Sequence, residues 1–221
     1  MGPQIPLAPP RLKGVASVEE ALQQRRSVRS FAVAALDLQD VAQLLWAAQG
    51  VTHPEGHRTA PSAGALRPLV VYLVAGNVAG LAPGVYRYQP QEHALVLTQP
   101  ADARGRLASA ALGQASVRDA PAVLVIAAVY ARTAQKYGAR AERYVHIEVG
   151  HAAQNVYLQA TARGLGTVLV GAFDDLKVRE ALGLPADHAS LGLMPLGRRA
   201  PGAAAAAAAA AATTRPTSAS P

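Results

Sequence analysis

Two periods of hydrophobic spacing run along this chain. After Asp37, the apolar residues Leu38, Val41, Leu44, Leu45 and Ala48 recur three and four apart, which predicts a helix with one buried face, ended by Gly50. Val145, Val149, Ala152, Val156 and Ala160 form a longer stripe, predicting a helix over about 142–163 whose small residues suit tight packing on another helix. Ser17-Val18-Glu19-Glu20 has the form of a capping box, in which the serine hydroxyl accepts from the third helical amide and Glu20 reaches back, so a short helix runs to Gln24. Two further helices are expected over 102–112 and 174–182, the second closed by Gly183. Between them lie β-rich apolar runs. Residues 69–75 read as a buried strand, and 85–88 with 94–98 flank a Gln-Pro-Gln-Glu turn as a hairpin. Residues 121–130 form a continuous apolar run, expected as a central strand covered on both faces, and 167–173 and 191–196 supply the last strands. The order predicts an α+β fold around one sheet.

Composition narrows the class. The 221 residues are 51% hydrophobic and contain no cysteine, which removes disulfide scaffolds, cysteine-ligated metal sites and thiol nucleophiles. The length fits one domain, expected over residues 11–200. Residues 1–10 carry four prolines and no basic residue ahead of an apolar run, so they are expected to be a flexible leader, neither signal peptide nor anchor. Residues 201–221, with ten consecutive alanines and then Thr, Ser and Pro, are expected to be a disordered tail, because a ten-residue alanine run without a packing face is too short to hold a helix alone. No apolar run reaches the ~20 residues of a membrane span, so the expected location is the cytoplasm, without membrane contact.

The formal charge of +7 rests on eighteen arginines and three lysines scattered among acidic residues. The absence of a polybasic tract speaks against nucleic acid and leaves a solvated arginine-rich surface or an anionic ligand. Gly164-Leu165-Gly166 with Gly171 has the order of a dinucleotide fingerprint reversed, and reads as a helix end turning into a strand. His146, Glu148 and His151 lack the spacing that aligns two histidines on one helical face, since five residues turn about 140°. His53 and His57 have it, but Pro54, Glu55 and Gly56 between them predict a loop with a solvated pair, so no metal site is expected. No Gly-x-Ser-x-Gly elbow presents a nucleophile.

Arg25-Arg26-Ser27-Val28-Arg29-Ser30-Phe31 is more informative. Three guanidiniums and a hydroxyl lie within five residues past a helix end, where forked donors suit a phosphate, although cations at a helix C-terminus are favoured in any case. Ala60-Pro61-Ser62-Ala63-Gly64-Ala65-Leu66-Arg67-Pro68 joins small residues to two prolines, a loop a flat ligand could approach closely, or a simple connector.

Taken with Lys136-Tyr137-Gly138, Glu148-Val149-Gly150-His151-Ala152-Ala153-Gln154-Asn155, Val170-Gly171-Ala172-Phe173 and Met194-Pro195-Leu196-Gly197-Arg198, these segments resemble, in order over almost all of residues 17–199, the nitroreductase family of flavin mononucleotide (FMN) enzymes, and within it the SagB/ThcOx-type dehydrogenase branch. The resemblance implies a central mixed, mainly antiparallel sheet flanked by helices, and a homodimer with FMN at the interface. It implies that Arg25, Ser27 and Arg29 hold the phosphate and ribityl chain, with Arg26 adjacent in the same cofactor-binding group and Arg198 adding a contact to the phosphate. Pro61, Ser62, Ala63 and Gly64 would come from the partner chain, and Val170, Gly171 and Ala172 would line the isoalloxazine ring. The cofactor would carry the electron chemistry while fixed protein donors set its position and potential.

The activity so implied is hydride transfer through flavin N5, from NADH or NADPH to a nitroaromatic, quinone or similar small molecule. The alternatives are an azoline-type dehydrogenase reoxidised by oxygen, and a flavin-binding module without turnover. In the azoline-oxidising members a Lys-Tyr pair removes the proton, and Lys136-Tyr137 is similar to it. A lysine base near neutrality needs burial or a cationic neighbour, and Arg140 and Arg143 follow closely. Arg67 stands where the family often has tyrosine, and the chain has no long insertion for a lid or leader-peptide domain, which favours a free-standing reductase or dehydrogenase.

Overall fold

The apolar run after Pro121 is buried on both faces, and the other elements are arranged around it. A computed structural model of the protein describes residues 4–200. In chain order these form β1 (Gln4–Pro6), α1 (Val18–Gln24), β2 (Leu36–Asp37), α2 (Leu38–Gln49), β3 (Leu69–Ala75), β4 (Val78–Ala79), β5 (Gly84–Gln89), β6 (Ala94–Pro100), α3 (Arg104–Ala110), α4 (Ala115–Asp119), β7 (Ala122–Ala128), α5 (Tyr130–Tyr137), α6 (Ala141–Ala162), β8 (Leu165–Thr167), α7 (Asp175–Leu182) and β9 (Ala189–Arg198). Seven strands make one sheet in the order β1-β6-β5-β3-β7-β9-β8, antiparallel at every pairing, while β2 and β4 form a separate parallel pair.

Strand β7 has fully buried residues along its length because successive side chains serve opposite cores. Leu124 and Ile126 pack with Val41, Leu44 and Leu45 of α2 and Val145, Val149 and Val156 of α6. Val123 and Val125 face the other way, toward Leu107 of α3, Val117 of α4 and Val178 and Leu182 of α7. Helix α6 is thus the predicted long helix, with its apolar stripe on the sheet and on α2. The Ser17 capping box is formed, with the Ser17 amide donating to Glu20 Oε2 (2.7 Å) and the Glu20 amide to Ser17 Oγ (3.1 Å).

Several boundaries differ from expectation. Residues 4–6, set aside within a flexible leader, pair with β6 as an edge strand, Gln4 opposite Val96 and Pro6 opposite Ala94. The outer edge of β6 needs a partner for its amides and carbonyls, and an edge position tolerates Pro6, which donates nothing. Leu7 then enters the core. The helix expected over 102–112 ends at Ala110, because Leu112 and Gly113 take positive φ (58° and 74°) before α4 begins. The strand expected over 167–173 stops at Thr167, leaving one bridge from Val170 to Leu193. Helix α5 falls outside the predicted elements: its eight residues are amphipathic at helical spacing but mostly polar, too short and too poor in apolar residues to form a long stripe. Residues 1–3 and the alanine-rich 201–221 lie outside the described residues. Among the described residues no helix is long and apolar enough to cross a membrane.

Candidate active site

The arginine cluster follows α1 directly. Arg25 ends the helix with extended backbone, and the chain then runs along β8, where Ser27 bridges Thr167 and the Val28 amide donates to the Thr167 carbonyl at 2.9 Å. The close approach depends on Gly166, where a Cβ would lie 2.6 Å from Val28 Cγ1.

Tyr157 of α6 joins the pieces. Its hydroxyl accepts from the Leu169 amide (2.7 Å) and lies 3.3 Å from Ser27 Oγ, so its own proton is free to donate to Ser27. The Arg25 guanidinium stands over the Tyr157 ring, 5.1 Å from its centre. One tyrosine therefore ties the start of the Arg25–Arg29 segment to the backbone leading into Val170, Gly171 and Ala172. Nothing in the sequence marks Tyr157, which stands beside the apolar stripe without a motif of its own.

The other predicted residues of this group vary. Ser27 and Arg29 are exposed. Arg26 turns back, Nη1 donating to the carbonyls of Gln23 (2.8 Å) and Arg25 (2.7 Å), and so satisfies the end of α1 in the way a C-terminal cation does. Arg198 donates from Nη2 to Asp37 Oδ2 at 3.3 Å and lies 3.8 Å from Asp40 Oδ2, so a phosphate would have to share it with two carboxylates. Gly171 and Ala172 are exposed, and a Cβ on Gly171 would meet nothing within 4 Å, leaving the backbone open to a flat ligand.

A second group forms elsewhere. Gly64 takes φ +60°, and a Cβ there would lie 3.0 Å from the Tyr137 hydroxyl and 3.3 Å from both Cδ and Nζ of Lys136. The loop Pro61–Gly64 and the Lys136-Tyr137 pair therefore touch within one chain. Lys136 is exposed in the last turn of α5, and Tyr137 packs edge-on against Tyr144 with ring centres 4.8 Å apart. Ser62 Oγ accepts from the Arg67 amide at 2.9 Å. Behind the loop, Glu148 is 3% exposed, and burial pushes its carboxyl up to about 7 against the opposing influence of Ser62 and the Arg58 charge. Its Oε1 has no hydrogen-bond partner. The signal for Glu148 was present: it stands three residues after Val145 and four before Ala152, a carboxylate on the apolar side of the long helix.

No hydrogen bond joins the two groups among the described residues. His146, Glu148 and His151 do not converge, since the Tyr130 hydroxyl engages His146 Nε2 (2.7 Å) while Glu148 is buried and His151 exposed. His53 and His57, expected as a solvated pair, are exposed but drawn together with Glu55 by a tight turn.

Comparison with known proteins gives the family. The family model described as "Nitroreductase family" matches residues 22–198. The chain belongs to the nitroreductase family. A protein of Methanocaldococcus jannaschii named as a nitroreductase is 48% identical over 182 residues, covering 82% of this chain and 91% of its own. The structure of a nitroreductase-named protein from Ralstonia eutropha superposes with a TM-score of 0.78 at 32% identity, over 89% of this chain and 90% of that one. The NADPH:FMN oxidoreductase of Vibrio harveyi, solved with NAD+, shares the fold with a TM-score of 0.60 at 24% identity, over 82% of this chain and 68% of that one. The α+β architecture, with its large antiparallel sheet flanked by helices, is the nitroreductase fold. This nitroreductase-family chain is thus an oxidoreductase by descent, and Arg25–Arg29, Pro61–Gly64, Lys136-Tyr137 and Val170–Ala172 all fall within the matched residues.

Proposed function

We propose that the protein is an FMN-dependent oxidoreductase that works as a homodimer, taking hydride from NADH or NADPH and reducing a nitroaromatic, quinone or similar small molecule. When bound, the flavin supplies a hydride-accepting and hydride-donating N5. Arg25, Ser27 and Arg29 bind the phosphate and ribityl chain, Arg25 aimed by its stacking on Tyr157 and Ser27 by its bridge to β8. Arg26 and Arg198 add positive charge nearby while keeping their present partners. Gly171 and Ala172 offer exposed backbone to the ring beside the buried Val170, and Pro61–Gly64 of the second chain closes it from the other side, excluding water.

The observation that carries this reading is the meeting of Arg25, Ser27 and the Leu169 amide on one tyrosine, which fixes donors and an open glycine beside each other. The residues fit the cofactor, since the side of Gly171 where a side chain would stand is free. The purified protein is expected to show a flavin spectrum, release FMN on denaturation and bleach on mixing with NADPH. A colourless protein that FMN cannot reconstitute overturns the proposal. Light scattering is expected to give twice the chain mass, and a monomer with FMN tightly bound would refute the shared site.

The contact of Gly64 with Lys136 and Tyr137 favours a second reading, oxidation of an azoline-like substrate with oxygen as final acceptor. Lys136 or Tyr137 would take a proton from the substrate carbon as hydride leaves it. Bound flavin that NADPH does not bleach, together with substrate oxidation lost in Lys136→Ala, would select it. Flavin retained with no turnover of any donor or acceptor would select a binding module instead.

A further inference from the structure

We propose that His53, Glu55 and His57 form a binding site for one divalent transition-metal ion of the zinc type. In the present structure His53 Nδ1 and His57 Nε2 lie 3.7 Å and 3.6 Å from Glu55 Oε2, and the three donor atoms fall within 4.8 Å of one another. With metal–ligand distances of about 2.0–2.1 Å, neighbouring donors of a tetrahedral site stand about 3.3 Å apart. Both histidine–carboxylate separations are within a few tenths of an ångström of that spacing. Closing the site asks mainly for the two imidazoles to approach each other, and their rings are already stacked with centres 5.1 Å apart and planes 22° from parallel.

The backbone holds this convergence. The Thr52 amide donates to the His57 carbonyl and the Gly56 amide to the His53 carbonyl, both at 2.8 Å, and Val51 bridges Arg58 as an antiparallel pair. Gly56 takes φ +78°, a conformation that side chains resist, and so closes the turn sharply enough to bring His57 back over His53. Arg67 clamps the turn from outside, Nη2 donating to the Glu55 carbonyl at 3.3 Å and leaving the Glu55 carboxylate for an ion. The Glu55 amide donates to His53 Nδ1 at 3.3 Å, so that nitrogen carries a lone pair turned inward, and an ion ligated there would replace this long hydrogen bond. Two imidazoles with one carboxylate select zinc, cobalt, nickel or copper over magnesium and calcium, which prefer all-oxygen sites. The three side chains are 54%, 72% and 62% exposed, so water can fill the remaining position. A bound ion would staple the turn that leads, through Arg58, into Pro61–Gly64.

The test uses the full chain without a histidine tag, stripped with chelator and titrated with zinc chloride by calorimetry, and with cobalt chloride by visible absorption. The expected result is one ion per chain, a cobalt spectrum of four-coordinate intensity, and affinity reduced about tenfold or more in His53→Ala, His57→Ala and Glu55→Gln. His151→Ala, at an exposed histidine outside the three-residue cluster, is expected to bind as the parent does. A second readout is the thermal midpoint, which zinc should raise in the parent by mass action and leave unmoved in His53→Gln. Absence of saturable zinc binding at micromolar concentrations, or binding unchanged in both histidine variants, overturns the proposal.

Discussion

Glu148→Gln offers the sharpest test of how the buried side of the site is built. The carboxyl is 3% exposed, one oxygen lacks a partner, and its protonation midpoint is raised from 4.5 to about 7, chiefly by burial. A raised carboxyl means that between these values the folded state holds a proton that the unfolded chain has lost, so stability falls as pH rises through that interval. At about 1.4 kcal/mol per pH unit, the full effect is about 3 kcal/mol, absent below about pH 4.5 and complete above about pH 7. Glutamine has nearly the same shape and no charge to bury. Urea unfolding of parent and variant at one protein concentration should therefore give similar stabilities near pH 4.5, with the variant gaining by up to about 3 kcal/mol at pH 8. Taking the difference between the two proteins cancels the slopes contributed by Asp102, Asp174, His93 and His188, whose protonation is also shifted by folding. A difference that stays flat from pH 4.5 to 8, or a parent more stable than the variant at pH 8, would refute the argument that an under-solvated carboxylate sits behind Ser62.

The remaining predictions concern the residues that hold the two groups in place. Tyr157→Phe leaves the Leu169 amide without its acceptor and frees Ser27, and should cost about 1–3 kcal/mol in urea unfolding and weaken FMN binding in a fluorescence titration. Arg163→Met strands Asp40, which is buried and receives Arg163 Nε at 2.6 Å, leaving it only the half-exposed Arg198; a loss of about 3 kcal/mol is expected in the same assay. Gly166→Ala drives a methyl into Val28 at 2.6 Å and should cost about 1–3 kcal/mol, with FMN affinity falling as Ser27 is pushed off β8.

Much of the fold is legible in the sequence where a pattern is long or chemically marked. The stripe from Val145 to Ala160 spans four turns, and strand β3 is bounded as expected, because a seven-residue apolar run preceded by Pro68 admits few other readings. Partners of side chains were not legible. Arg25 and Arg26 are adjacent and chemically identical, yet one stacks on Tyr157 while the other folds back onto the end of α1. Their spacing in the chain holds no information about that division, which depends on where α6 sets Tyr157. His53 and His57 illustrate the same limit: their separation is visible, but their convergence on Glu55 depends on the backbone angles at Gly56. Strand β1 escaped notice because three residues including a proline look like a leader until β6 offers its edge.

Helix α6 supports both halves of the candidate site. Tyr157 engages Ser27 and the Leu169 amide, the Asn155 side chain donates to the Thr59 carbonyl at 3.1 Å just before Pro61, and Glu148 lies behind Ser62. From Glu148 to Tyr157 the helix rises about 13 Å at its ordinary pitch. That spacing is fixed by a 22-residue helix packed on the sheet rather than by the loops, whose own contacts are few and partly exposed. Under the proposed function, Tyr157 serves the flavin held by its own chain, whereas the loop in front of Glu148 covers the flavin of the partner. The helix would then connect two cofactors through one rigid body, its position set by the apolar stripe that packs on the sheet and on α2.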